Sequence, residues 1–167
     1  MTLTKRLSAM AMALIVTTAT FAASAPAQGE GASSPPAGCT GTPSGTWISV
    51  VANGLRNSDG LLAITLYPDN SKRFLVKRGS LYVGRVKAQA GSTRGCIFVP
   101  SPGVYLIALY HDENSNLRFD RSALGLPAEG YGFSNNPSTL AGLPAFSSVR
   151  LNIPRSGLVT RIHMKYP

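Results

Sequence analysis

Acidic side chains are scarce in this chain. Seven Asp and Glu stand against 16 Lys and Arg, and charged residues of either sign make up 14% of its 167 residues. Histidine and cysteine occur twice each, and no pair of them has ligand spacing, which leaves little room for a zinc site. Neither G-x-S-x-G nor H-E-x-x-H occurs, so the commonest hydrolase signatures are missing. No stretch keeps a helical period, which excludes a helix–loop–helix calcium hand. After the first residues nothing approaches the ~18 consecutive apolar residues of a membrane span. What is abundant is turn material, with 17 Gly and 12 Pro.

The chain starts with a short cationic head, Lys5 and Arg6, an uncharged, mostly apolar run from Leu7 to Phe21, and small residues through Ala27. That is the layout of a secretory signal peptide over residues 1–27, with cleavage expected after Ala25-Pro26-Ala27 and a periplasmic or secreted mature protein. Residues 28–45, "QGEGASSPPAGCTGTPSG", are too rich in Gly, Pro and Ser for a regular element and read as a flexible leader. Residues 46–167 then suffice for one domain with one core. Removing Lys5 and Arg6 lowers the net charge from +9 but leaves a basic surface. Such a surface suits anionic envelope polymers or lipid head groups, and export argues against nucleic acid.

Both cysteines, Cys39 and Cys96, lie in the exported part. An even count in an oxidising compartment points to a disulfide tying the leader to the domain, with two buried thiols as the alternative. "AGC" ending at Cys39 also has the outline of an acylation site, although Pro36 and the polar stretch before it disfavour that reading.

Past residue 45 the period is two. Ile48, Val50 and Ala52 alternate with Trp47, Ser49 and Val51, and "LLAITLY", "LYVGRV", "CIFV" and "VYLIALY" are strand-like runs punctuated by Gly, Pro, Asn and Asp. The pattern predicts an all-β antiparallel sandwich of about seven strands. "SSVRLNI" and "LVTRIHMKY" each place an apolar set on one face, and folding them about Pro154–Gly157 makes the sets coincide, which predicts a C-terminal hairpin. That register sets Arg150 opposite Arg161 and predicts a basic strip of Arg150, Arg161 and Lys165, capable of electrostatic adhesion to anionic envelope polymers.

Residues 111–146 show no clear period, and a connection of that length is usually functional or a covering loop. It opens on "YHDENSNLRFD". Side-chain oxygens recur there at every second residue, as a calcium loop requires. Asp112, Asn114 and Asn116 take positions one, three and five, the carbonyl of Arg118 seven, and Asp120 nine. Leu117 stands where the sharp turn prefers Gly, Arg118 and Arg121 add positive charge, and no Glu stands near position twelve, although Glu129 could reach back. The competing reading is a series of Asx turns in which the same side chains cap their own backbone. Calcium is the one cofactor the pattern admits, at an affinity of about 0.1 to 1 mM.

Catalysis has weaker support. His111, Asp112 and Ser134 are the types a triad needs, but neighbours on a strand diverge. The enzyme alternative is a hydrolase-like centre using His111 and Glu129, and the chain is otherwise read as non-enzymatic.

"YHDENSNLRFD", "GLPAEGYGFSNNP" and "FSSVRLNI", in this order, resemble the exported bacterial domain-of-unknown-function 2141 family. Many members carry Gly after the second Asn of the first block, where this chain has Leu117. The resemblance covers the chain from Cys39 onward and implies an immunoglobulin-like or transthyretin-like sandwich with no established activity and no catalytic residue to carry over. In the second block Glu129, Asn135 and Asn136 are expected to clamp the loop backbone. Tyr131, Phe133 and Phe146 are expected to plug the open end of the core. A ligand pocket rimmed by His111, Glu129, Tyr131 and Asn135 is the alternative to a simple clamp.

Overall fold

The computed structural model describes residues 34–167; the expected signal segment, and the leader up to residue 33, lie outside the described residues. The domain is an all-β sandwich. Its strands are β1 Thr46–Leu55, β2 Leu61–Pro68, β3 Tyr82–Lys87, β4 Gly91–Val99, β5 Gly103–Asp112, β6 Gly130–Phe133, β7 Thr139–Leu140, β8 Leu143–Pro144, β9 Arg150–Ile153 and β10 Leu158–His163. One turn of 3-10 helix, Phe146–Val149, precedes β9. A three-stranded sheet runs β10-β1-β4 and a five-stranded sheet runs β3-β2-β5-β6, with β9 also pairing β5; β7 and β8 form a small ribbon of their own.

Period two explains the core. Ile48, Val50 and Ala52 of β1 face Leu62, Ile64 and Leu66 of β2 and Ile107 and Leu109 of β5 across the sandwich. At about 25 cal/mol per Å² of apolar surface removed from water, this layer supplies most of the drive to fold. The opposite face of β1 is also buried, since Trp47, Ser49 and Val51 are all nearly inaccessible. Val51 lies in register between Arg94 and Arg161, whose aliphatic stems suit it for cover.

The C-terminal hairpin does not form. β9 pairs antiparallel with β5, Leu151 opposite Tyr105, whereas β10 runs parallel to β1, Ile48 opposite Leu158. Pro154–Gly157 therefore crosses between sheets, anchored by the Gly157 amide donating to the Trp47 carbonyl at 3.0 Å. The apolar alternation is still satisfied, because Ile153 and Ile162 meet in one core from opposite sheets. A period-two pattern says which face is apolar and not which strand lies alongside.

The leader is held from Cys39 onward. Cys39 and Cys96 form a disulfide, Thr40 bridges Ile97 in parallel, and the Ser44 hydroxyl donates to the Thr46 carbonyl at 2.8 Å. The expected flexible leader thus ends before residue 45. Phe133 and Phe146 do not plug the end of the core. With Tyr67, Leu106, Ala108, Val149, Phe74 and Tyr131 they build a second apolar cluster on the outer face of the five-stranded sheet, with Phe74 edge-on to Tyr67, Phe133 and Phe146.

Candidate functional site

The acidic loop leaves β5 at Asp112, which is fully buried. One Asp112 oxygen accepts the Asn116 amide and the other the Leu117 amide, both at 2.9 Å. Asn114 Oδ1 accepts the Asn116 amide at 3.0 Å, and Asn116 Oδ1 accepts the Arg118 amide at 2.8 Å. These are Asx turns, and they hold Ser115 at φ 57° and Leu117 at φ 64°, where glycine would sit without strain. The side-chain amides of Asn114 and Asn116 both donate to Asp120 Oδ2, at 2.8 and 2.7 Å.

Glu129 comes back to this loop because residues 120–128 close on themselves. Arg121 bridges Pro127 and the Ala128 amide donates to the Asp120 carbonyl at 3.0 Å. Glu129 Oε2 accepts the Asp120 amide at 3.0 Å. The residue is only 5% exposed, and Oε1 is buried with no hydrogen-bond partner. Burial first, with the charges of Asp120 and Asp112, pushes its carboxyl above the usual carboxylate range, against the backbone amides of Asp120 and Glu113, which pull it down.

His111 is fully buried beside this loop. Nε2 lies 2.8 Å from the Asp59 carbonyl, so it must carry the proton; Nδ1 then accepts the Tyr166 hydroxyl at 2.7 Å. Tyr166 in turn accepts the Arg56 amide at 3.1 Å. Both ring nitrogens are committed to the fold, which weighs against an acid/base partnership with Glu129. Ser134 is buried, accepting the Ile107 amide at 3.2 Å and donating to the Val149 carbonyl. Glu113 pairs with Arg56 and accepts Asn57 at 2.8 Å, and the Arg56 guanidinium holds its carboxyl below the usual range.

The residues expected to rim one pocket are dispersed. Asn135 donates to the Arg150 carbonyl at 2.8 Å. Asn136 donates to the Arg161 carbonyl at 3.0 Å and accepts the His163 amide at 2.7 Å. The two asparagines therefore tie the end of β6 to β9 in its own sheet and to β10 in the other. Of the expected set only Tyr131 lines a sizeable groove, one of about 590 Å³ on the outer face of the five-stranded sheet. The basic strip loses its basis along with the hairpin. Arg150 is paired with Asp69 at 2.5 Å, Arg161 lies on β10 in the other sheet, and Lys165 Nζ donates to the Pro137 carbonyl at 2.7 Å.

The groove escaped the sequence. Its floor is Thr65, Tyr67, Ala108, Tyr110, Tyr131 and Phe133, walled by Leu75, Val76, Lys77, Arg78 and Ser80 on one side and Leu117, Arg118, Phe119 and Arg121 on the other. Period two places Arg85 on the same face of β3 as Val83, which was the signal available.

Among the described residues no helix is long and apolar enough to cross a membrane. The family model for an uncharacterised protein conserved in bacteria, DUF2141, matches residues 50–160. No curated protein and no solved structure matches the chain. The match runs from within β1 to within β10 and takes in the whole acidic loop, so the chain belongs to this uncharacterised bacterial family.

Proposed function

We propose that this protein is an exported, non-catalytic binding module, periplasmic or secreted, whose 112–129 loop takes one calcium ion. The observation that carries the metal part is Glu129. A carboxylate buried to this degree with one oxygen unpartnered, next to Asp112 and Asp120, is a costly arrangement that a cation relieves. Asp112, Asn114, Asn116, the Arg118 carbonyl, Asp120 and Glu129 offer the six oxygen donors a hard cation takes, with water to complete the set. Among the described residues no three His, Cys, Asp or Glu side chains stand as a preformed metal group. Loading therefore requires the Asn114 and Asn116 amides to let go of Asp120, which keeps the affinity in the range of about 0.1 to 1 mM.

The export part rests on the Lys5–Arg6 head and apolar run, and on the disulfide, which persists in oxidising compartments. Non-catalytic action rests on the committed nitrogens of His111.

Isothermal titration of metal-free protein with calcium at low salt tests the metal part. One site of about 0.1 to 1 mM is expected, lost in Glu129→Gln. A titration without heat at several temperatures overturns it. N-terminal sequencing of protein recovered from outside the cytoplasm should begin at Gln28; an intact Met1 overturns the export reading.

A further inference from the structure

The walls and floor of the outer groove carry Lys77, Arg78, Arg85, Arg118 and Arg121 and, among the described residues, no carboxylate. In a domain with acids elsewhere on its surface this is a concentration of one sign. Asp69 and Glu113 are taken by Arg150 and Arg56, and the Asp120 carboxylate, between Phe119 and Arg121, faces Asn114 and Asn116 instead. Arg85 is half-buried in the lining of the groove. Its Nη2 donates to Tyr110 Oη at 3.3 Å and to the Leu117 carbonyl at 3.2 Å, while its Nε is buried with no partner.

The same groove is apolar underneath and at its lip. Tyr67, Tyr131 and Phe133 lie in the floor and Leu75 in the wall, and Val76, Leu117 and Leu143 at the rim are 49%, 54% and 50% exposed. Three wall residues, Leu75, Arg78 and Leu117, hold positive φ without being glycine. Backbone strain of this kind concentrates where a ligand is clamped. A volume of about 590 Å³ is in the range of small-molecule sites.

We propose that this groove binds a single-chain amphiphile with an anionic head, a carboxylate or a phosphate. The apolar floor and lip take the chain. The Arg85 guanidinium and the wall cations, none of them in a salt bridge among the described residues, take the head, since guanidinium donors match both anions in charge and geometry. A concave, aromatic-floored site favours one inserted molecule over a flat membrane surface. The proposal gives the binding module a ligand class. It does not depend on calcium, although residues 117–121 serve both the loop and the groove wall.

The test is calorimetric titration of the disulfide-intact protein, in EDTA so that the metal plays no part. Dodecanoate and dodecyl phosphate, each below its micelle concentration, are compared with dodecyl maltoside and dodecyltrimethylammonium, which share the chain and not the head. Saturable one-to-one binding of both anions is expected, with the other two at least about tenfold weaker, because charge-assisted hydrogen bonds are worth that much. Arg85→Gln with Arg118→Gln should weaken the anions by about tenfold or more, and Arg161→Gln, in the other sheet, should leave them unchanged. Arg118→Gln alone keeps the comparison valid if loss of the Arg85 bonds to Tyr110 and Leu117 loosens the fold. Equal affinity for all four heads, no saturation, or insensitivity to the arginine variants overturns the proposal. So does binding confined to phosphatidylglycerol vesicles, which would assign this face to a membrane surface.

Discussion

Glu129 carries a poorly compensated charge. Its carboxyl is pushed up in the fold relative to the unfolded chain. Its contribution to stability is therefore fully present below the unfolded value of about 4.3 and is lost as pH rises through its raised folded value. Glu129→Gln removes the buried charge and leaves a carbonyl for the Asp120 amide. Without calcium the variant should match or exceed the parent in melting temperature at pH 8, with the advantage vanishing below pH 4. A variant that melts lower at every pH would make Glu129 a plain structural clamp. Glu113 runs the other way. Arg56 depresses its carboxyl, so its stabilisation is present above the unfolded value and fades as pH falls through the depressed one. The gap in melting temperature between the parent and Glu113→Gln should accordingly close on acidification. The oxygen spacing from Asp112 to Asp120 was legible in the sequence, as was the reach of Glu129. What the spacing could not fix is where the side-chain amides point. In the structure Asn114 and Asn116 aim their nitrogens at Asp120, a choice set by the folded loop and not by residue type.

At the scale of elements, strand existence was easy to read and strand partnership was not. β2 and β5 lie where apolar alternation put them, and β4 begins five residues before the "CIFV" run that marked it, but the alternation in 149–153 and 158–164 fits a hairpin and a cross-sandwich arrangement equally. Burial of Ile153 from one sheet and Ile162 from the other in the same core goes with the second, while Val149, at the end of the 3-10 turn, packs in the outer cluster. β6 went unread because "GYGF" is short and half glycine. The turn before β2 is set by Gly60, at φ 61°, where an added Cβ would stand 1.9 Å from the Asp112 carbonyl oxygen. Gly91 also has positive φ, but an added Cβ there meets nothing within 4 Å. Gly91→Ala should cost about 1 kcal/mol from the left-handed backbone alone, and Gly60→Ala about 3 kcal/mol or more, since backbone must also move. Urea midpoints would compare them; equal costs would mean that the approach of this turn to Asp112 is looser than described.

For the whole molecule, the disulfide and the two faces of the five-stranded sheet matter most. Cys39 and Cys96 are 57 residues apart, and closing a loop of that length in the unfolded chain is worth about 4 kcal/mol in the chain-entropy account. Cys39→Ser with Cys96→Ser should lower stability by an amount of that order. A loss below about 1 kcal/mol would show that the Thr40 and Ser44 bonds hold the segment unaided. The even cysteine count made this link legible. The groove was not, because its lining is drawn from segments spread between Thr65 and Leu143, and nothing local marks them as one surface.

The central claim is that the 112–129 loop is completed by calcium through Glu129, and thermal unfolding of parent and Glu129→Gln proteins with EDTA or 5 mM calcium tests it most directly. A site of about 0.1 to 1 mM gives the parent roughly 1 to 2 kcal/mol at that concentration, a rise of roughly 3 to 8 °C, while Glu129→Gln should not move. No rise in the parent, or an equal rise in both proteins, would contradict the account.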